Sequence, residues 1–391
     1  MIKKVKIFLK NLLYSHEFID NQFLSFIQLK ILSKVHQRKY YRIKIKSLEK
    51  TKILEKIIDG YFYESRTQNN QMIKVPDLNL YFFENALVNS YSSAVISKNI
   101  LHYEVFNDKE RYNEGFILYH SKKTAVYFLN EVETIEEGFF LAGNGSYNWY
   151  HWMIEILPKI IYFDTSHTKV ILVNQSCQTI KSMADSLNLI TENLNIKIVY
   201  LHPRKVYNVK KLFFINEVNK LMFNSENITF SDSYKYYFRK ESLNNISNIF
   251  KSKITGTETC CKKLFLERKN THRIAKNDKE IFTFLQQKGF VSADLRSLSF
   301  TEQINCLKNA KIIVGTTGAS WTNLLFCEPS SYSIIFIPEN FKNYRFFEEI
   351  GQMLNVKVDY LYYENGENDH DKSEFIIDIK NLENLLHEFE K

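Results

Sequence analysis

Apolar and polar residues alternate along this chain in two ways, and the pattern changes near residue 158. Between residues 72 and 137, short apolar runs at 78–83, 94–96, 115–119 and 124–129 are bounded by polar and turn-forming residues, which predicts strands. After residue 158, apolar runs alternate with amphipathic segments of helical length. Alternation of strand and helix is typical of an α/β protein with a parallel sheet.

The alternation is most regular from residue 263 onward. Apolar runs at 263–266, 290–292, 311–314 and 333–337 predict four strands. Asn277 and Ser299 each precede a Glu by three residues, the pattern of a capped helix start. Because the carboxyl ends of parallel strands gather at one sheet edge, this edge is the place to look for ligand-binding residues. The polar stretch 216–252 predicts a helix and a linker.

A chain of 391 residues with 45% hydrophobic residues is too long for one ordinary core and rich enough to build two. We predict three parts: a basic, largely helical N-terminal segment (1–65), an N-terminal α/β domain (66–252) and a C-terminal α/β domain (253–391).

The positive charge of the chain is concentrated at its N-terminus. Residues 1–56 contain 14 Lys or Arg and 4 Asp or Glu, an excess larger than the whole-chain net charge of +8. The body of the protein is therefore slightly acidic, which gives no support for nucleic-acid binding. Residues 1–14 predict a basic amphipathic helix that can lie on an anionic membrane surface, or alternatively a solvated helical face packed on the body.

Five scattered cysteines, with no C-x-x-C pair and no His/Cys cluster, predict neither a metal site nor a disulfide framework. The sequence has no signal-peptide pattern and no long apolar run. We therefore expect a cytoplasmic protein, attached peripherally to the inner face of the membrane if its basic segment binds lipid.

The first candidate for chemistry is a short predicted helix at 149–157, which we expect to end at Pro158. His151 and Glu155 stand four residues apart on it, so an imidazole and a carboxylate share one face. Such a pair beside aromatic residues can abstract a proton. A buried pair that only holds the helix to the sheet is the alternative.

The second candidate is a small-residue loop between two predicted strands, with a helical turn after it. A helix start offers backbone donors and a partial positive charge, which suit a phosphate. Arg268 and Arg273 follow another strand end, and an Arg fork grips phosphate oxygens well, although both could be ordinary surface residues. The loop residues are Gly315, Thr316, Thr317, Gly318, Ala319 and Ser320, with Asn323 in the turn after them.

Together these residues form an ordered array over about residues 140–340. It comprises Tyr147 to Trp152 with Glu155, Leu157 and Pro158; Arg268, Arg273 and Asn277; Ser299, Phe300, Glu302 and Gln303; and Gly315, Gly318, Ala319 and Thr322 to Phe326. This array resembles glycosyltransferase family 61, in particular bacterial members associated with capsular and other surface polysaccharides.

The resemblance implies a GT-B fold of two Rossmann-like domains facing a central cleft, and an inverting transfer that requires no metal or other cofactor. The partners it implies are a nucleotide-sugar donor, bound by the C-terminal domain, and a glycan or lipid-linked glycan acceptor. It places the base at Glu155, our first choice, or at His151. The arginines and the glycine loop would hold the donor diphosphate, and Asn148, Trp149 and Trp152 would line the acceptor side.

One departure from the family pattern concerns the loop. The family has His in a G-x-H-G-A pattern where this chain has Thr317, and a small or aliphatic residue where it has Trp321. This departure prompts an alternative, a non-catalytic subunit that binds a nucleotide sugar in a polysaccharide assembly. A dinucleotide-dependent oxidoreductase is a weaker third interpretation, because no G-x-G-x-x-G motif is present.

Overall fold

The computed structural model describes residues 20–103, 114–121, 123–221, 236–254, 262–269, 274–342, 345–364 and 375–390. The chain divides into two compact units that do not follow chain order. The first unit takes residues 1–61, 76–180 and 193–225; the second takes 62–75, 181–192 and 226–391.

A mixed sheet forms the frame of the first unit. Within the described ranges it has eleven strands: β1 (Tyr40–Ser47), β2 (Glu55–Ile58), β5 (Leu78–Asn89), β6 (Ser92–Ser97), β7 (Ile100–Tyr103), β8 (Ile117–His120), β9 (Thr124–Phe128), β10 (Val132–Leu141), β11 (Val170–Asn174), β12 (Lys197–Leu201) and β13 (Val206–Ile215). Their order across the sheet is β12-β11-β10-β13-β5-β6-β7-β1-β9-β8, and β2 pairs with β5 outside this order.

Strands β10 to β13 are parallel to one another, whereas β13 pairs antiparallel with β5. The sheet is therefore parallel where apolar runs alternate with helices, and largely antiparallel where short strands follow each other directly. Its core includes Phe140 and Phe214, whose rings stack with centroids 6.2 Å apart. The helices of this unit are α1 (Gln22–His36), α2 (Trp149–His151) and α3 (Ser176–Thr179). Helix α2 continues as a π-helical turn (Trp152–Ile156) and a 3₁₀ helix (Leu157–Tyr162); we call residues 149–162 the composite helix.

The second unit is built around a five-stranded, fully parallel sheet of β14 (Lys263–Leu266), β15 (Val291–Ala293), β16 (Ile312–Thr316), β17 (Tyr332–Pro338) and β18 (Lys357–Tyr363). Their order across the sheet is β15-β14-β16-β17-β18. Strands β3 (Tyr61–Ser65) and β4 (Gln71–Val75) form a separate two-stranded hairpin. The helices are α4 (Lys181–Thr191), α5 (Lys240–Ser252), α6 (Asp278–Gln287), α7 (Phe300–Asn309), α8 (Phe346–Leu354) and α9 (Ile379–Glu390), with a 3₁₀ helix at Ala319–Phe326.

The four strands predicted after residue 262 are present, each within two residues of its predicted bounds. The capping box at Ser299 and Glu302 is also present, with both reciprocal hydrogen bonds. Asn277 does not cap α6 in this way. Its side chain instead donates to the Ile377 carbonyl and accepts from the Ile377 N–H, at 2.8 and 3.1 Å, so it ties the C-terminal segment to the helix start.

The predicted segment boundaries follow chain order, and the compact units do not. Of the segment 1–65 the structure describes residues 20–65, which contain α1 and a short 3₁₀ helix (Leu48–Lys50); from Tyr40 the chain also forms strands, because β1 pairs on both sides inside the large sheet. Helix α5, predicted to end the N-terminal domain, lies in the second unit, where Phe250 packs edge-on against Phe300 and Phe326. The two-lobed GT-B arrangement stays a prediction.

The helix predicted at 1–14 lies outside the described residues. Within the described ranges, no helix combines the length and the apolar character needed to cross a lipid bilayer.

Candidate functional site

In the first unit, a tight loop after β10 leads directly into the composite helix. Gly145 has φ +70°, and a Cβ built on it would lie 2.6 Å from Cγ of His151, so only glycine fits beneath this imidazole. The loop is held by Glu114, which accepts from the Gly145 N–H at 3.1 Å and from the Tyr147 hydroxyl at 2.9 Å. Burial and this carboxylate raise the pKa of the Tyr147 phenol. Asn148 caps the start of the helix, since its side chain accepts from the Tyr150 N–H.

His151 and Glu155 are both buried, with 5% and 1% of their surfaces exposed. His151 Nδ1 lies 2.6 Å from Glu155 Oε2, which confirms that the two side chains share one face. The other carboxylate oxygen, Oε1, accepts from the Leu221 N–H at 2.6 Å. An ionised carboxylate only accepts hydrogen bonds, so this arrangement places the proton of a neutral His151 on Nδ1 and leaves Nε2 as the acceptor nitrogen.

The predicted helix end at Pro158 is not observed. Proline has no N–H, yet it is tolerated in the first turn of a helix, where that donor has no partner. Pro158 occupies this position in the 3₁₀ part of the composite helix. Just before it, the Asn219 side chain donates to the Ile154 carbonyl at 2.7 Å. The π-helical turn at Trp152–Ile156 is a widened helix turn, and such turns are often found at functional sites.

Sequence reasoning missed the segment that supplies these contacts. Residues 216–221, the start of the stretch predicted to hold a helix and a linker, follow β13 directly and are buried throughout, including Glu217 and Lys220. This segment positions the His151–Glu155 pair, because the Leu221 N–H donates to the Glu155 carboxylate and the Asn219 side chain donates to the helix turn that carries it. The available signal was its place at the carboxyl end of a buried strand.

The three residues predicted to line the acceptor side differ in accessibility. Asn148 is exposed and Trp149 is partly buried, so both can contact another molecule. Trp152 is fully buried, which suits packing within the core better than contact with an acceptor.

In the second unit, the loop after β16 has the predicted form: an apolar strand, small residues and a 3₁₀ helix at Ala319–Phe326. The first N–H groups of a helix have no partner inside it and can bind an anion. The loop is anchored at both ends, since the Thr317 N–H donates to the Phe336 carbonyl at 2.8 Å and the buried Trp321 indole donates to the Thr316 carbonyl at 3.0 Å.

Arg268 lies against this loop, as predicted for a shared phosphate site. Its Nη1 donates to the Thr317 carbonyl at 2.9 Å, and a Cβ on Gly318 would lie 2.7 Å from its Nη2. Gly318 therefore leaves the space in which the guanidinium sits. Arg273 lies outside the described residues.

The remaining loop residues fall into two groups. Thr316, Gly318, Ala319 and Ser320 are partly exposed beside Arg268 and can face a ligand. Asn323 is buried and donates to Gln303 at 3.1 Å, and Thr317 is buried with both backbone groups engaged. Burial also raises the pKa of the nearby Cys327 thiol to about 12, so this cysteine is not a nucleophile at neutral pH.

In the part of the chain that the structure describes, no three His, Cys, Asp or Glu side chains are grouped as metal ligands. Metal independence stays a prediction.

Residues 149–334 match the family model for Glycosyltransferase 61. The matched segment starts with α2 and ends within β17, so it contains His151, Glu155, Arg268 and the glycine loop. A search among curated proteins finds no match. The family match confirms the resemblance predicted from the sequence.

Proposed function

We propose that this chain, a glycosyltransferase whose residues 149–334 form its family 61 domain, transfers a sugar from a nucleotide-sugar donor to a hydroxyl group of a glycan with inversion at the anomeric carbon. The observation that carries the proposal is the chain of two hydrogen bonds that joins the Leu221 N–H, the Glu155 carboxylate and the His151 imidazole.

In the proposed reaction His151 is the base. Glu155 accepts from Nδ1 and so keeps the lone pair on Nε2, where the acceptor hydroxyl can give up its proton. The acceptor oxygen then forms a bond to the anomeric carbon as the bond from that carbon to the diphosphate oxygen breaks. This assignment reverses our preference from the sequence, because both oxygens of Glu155 already accept hydrogen bonds inside the protein.

The leaving diphosphate needs positive charge and hydrogen-bond donors. We assign these to Arg268 and to the N–H groups at the start of the 3₁₀ helix Ala319–Phe326. The contact between Arg268 and the Thr317 carbonyl supports the assignment, since it orients the guanidinium beside this helix start. The reaction as proposed needs no metal or other cofactor.

The acceptor we propose is a growing capsular or other surface polysaccharide, or a lipid-linked glycan, modified at the cytoplasmic face of the membrane. The GT-B arrangement is part of the same proposal. These features rest on the family resemblance.

The experiment is a transfer and hydrolysis assay with a panel of UDP-, GDP- and CMP-linked sugars. His151→Ala should lower kcat by about 10²–10⁴ when it is assayed at a temperature at which circular dichroism shows the variant to be folded. Arg268→Lys should instead raise KM for the donor, because Lys lacks the planar fork. Wild-type activity in His151→Ala would remove the proposed base.

A second candidate is a nucleotide-sugar-binding subunit without turnover. It is favoured by Thr317, which stands where the family has His and whose backbone groups are both engaged within the protein. Calorimetry separates the two: binding of a nucleotide sugar without transfer to any acceptor would favour this candidate.

A further inference from the structure

Helix α1 is apolar on two sides, and the described residues cover only one of them. On its inner side Leu32 is 3% exposed and packs with Tyr40, Tyr119 and Val126 of the large sheet. A helix that is apolar all round is normally buried all round. The uncovered side of α1 therefore needs an explanation.

The uncovered side consists of two neighbouring stripes at i, i+4, i+8 spacing, which we call the outer face of α1. One stripe is Ile27, Ile31 and Val35; the other is Phe26, Lys30 and Lys34. Val35 is 68% exposed and Phe26 55%. A single exposed apolar residue is ordinary on a protein surface, but a contiguous group of them marks an interaction site.

The charge around this face is mainly positive. Helix α1 contains no acidic residue, and Arg38 and Lys39, the second and third residues after its end, are exposed. Asp20, two residues before its start, accepts from the Ser121 and Thr124 hydroxyls. The Lys30 ammonium lies 4.5 Å from the centroid of the Phe26 ring, so cationic and apolar groups are close neighbours. A second copy of the chain docked on the same face by twofold symmetry would bring four lysines together, which disfavours a dimer through it.

We propose that the outer face of α1 binds the surface of a membrane that contains anionic lipids. The helix would lie in the plane of the interface, with the apolar side chains at the level of the acyl-chain boundary and the ammonium groups at the lipid phosphates. The proposal concerns membrane attachment and does not depend on sugar transfer.

The test is co-sedimentation of the full-length protein with vesicles of phosphatidylcholine alone and of phosphatidylcholine with phosphatidylglycerol. The wild type should partition to the anionic vesicles, and less so as salt is raised. Phe26→Ser with Val35→Ser should lower the partition coefficient at least tenfold, and Lys30→Gln and Lys34→Gln about fivefold each.

Matched controls come from the second unit. Val291→Ser removes a valine of similar exposure, 52%, and Lys279→Gln with Lys380→Gln removes the same charge from exposed positions. These variants should bind vesicles like the wild type, and all variants should keep the wild-type melting temperature.

Three results would overturn the proposal. The first is that the wild type binds neutral and anionic vesicles equally. The second is that the α1 variants bind vesicles as the wild type does. The third is that the α1 substitutions change only the self-association of the protein, measured by analytical ultracentrifugation.

Discussion

Glu155 in the first unit and Glu349 in the second are the two most deeply buried glutamates among the described residues, and their carboxylates have different partners. Glu155 in the first unit accepts from one backbone N–H and contacts an imidazole. Glu349, on α8 of the second unit, is 2% exposed, and its partners among the described residues are hydroxyl and amide donors. These donors are Tyr63, Ser65 at 2.7 Å, Thr67 and Gln68 at 3.3 Å.

The difference lies in what the partners can do with a proton. Burial and the Glu349 carboxylate raise the pKa of the Tyr63 and Tyr236 phenols, so these groups stay protonated and act as fixed donors. An imidazole, by contrast, takes up and releases protons at neutral pH. We infer that a buried carboxylate ringed by fixed donors stabilises the fold, whereas one paired with an imidazole is suited to proton transfer.

The largest effect should follow the loss of the charge at Glu155. In Glu155→Gln the amide group can donate to Nδ1 of His151, which moves the imidazole proton to Nε2 and removes the acceptor lone pair. We expect kcat to fall by about 10³–10⁴ with little change in melting temperature. Transfer kinetics beside thermal unfolding measure both, and a rate within tenfold of the wild type would contradict the role given to this carboxylate.

At Glu349 the effect should be on stability. Glu349→Ala removes this acceptor from two buried hydroxyls (Ser65, Thr67) and from two partly buried donors (Tyr63, Gln68), which should cost about 3 kcal/mol or more and lower the melting temperature by roughly 5–10 °C. The control is Glu348→Ala on the same helix, whose partner Arg345 has a side chain 42% exposed. That pair should be worth at most about 1 kcal/mol. Equal destabilisation by both variants would mean that the buried donors do not depend on Glu349.

A smaller effect should come from the loop beneath His151. Gly145→Ala combines a strained positive φ with a collision against the imidazole, so we expect kcat to fall by about tenfold or more as the ring is displaced. Gly289→Ala is the matched control. It has φ +82° and nothing within 4 Å of the added Cβ, so it reports the backbone strain alone and should leave kcat unchanged. Similar kcat values in the two variants would show that Gly145 does not position His151.

The smallest effect tests a buried imidazole in a different setting. His102 packs on Phe83, contacts the Thr51 hydroxyl at 3.1 Å, and has a pKa that burial, and then Lys46, lower to about 4. Above pH 6.5 this imidazole is neutral in the folded and unfolded chains alike. Between pH 6.5 and 4 the unfolded chain binds more protons, so stability should decline as the pH falls through this window.

His102→Gln keeps a hydrogen-bonding side chain and should flatten part of that decline. Melting temperatures of both proteins from pH 8 to pH 4 measure the difference. Parallel curves would show that His102 does not contribute to the acid sensitivity.

The sequence by itself determined four of the five strands in the parallel sheet of the second unit and the neighbours within one helix. The strands that flank the glycine loop follow from runs of apolar residues, and the His151–Glu155 pair follows from four-residue spacing on a helix. Both are local properties, because periodicity and side-chain reach along one element do not depend on the rest of the chain.

Only the tertiary structure decided which distant residues contact the buried carboxylates of Glu155 and Glu349. Leu221 reaches Glu155 from 66 residues away, and Tyr63 reaches Glu349 from 286 residues away. The widened helix turn at Trp152–Ile156 likewise receives a hydrogen bond from Asn219, 65 residues away, at the Ile154 carbonyl. No local pattern encodes such contacts, since they arise when buried polar groups must find partners among whatever elements the fold brings together.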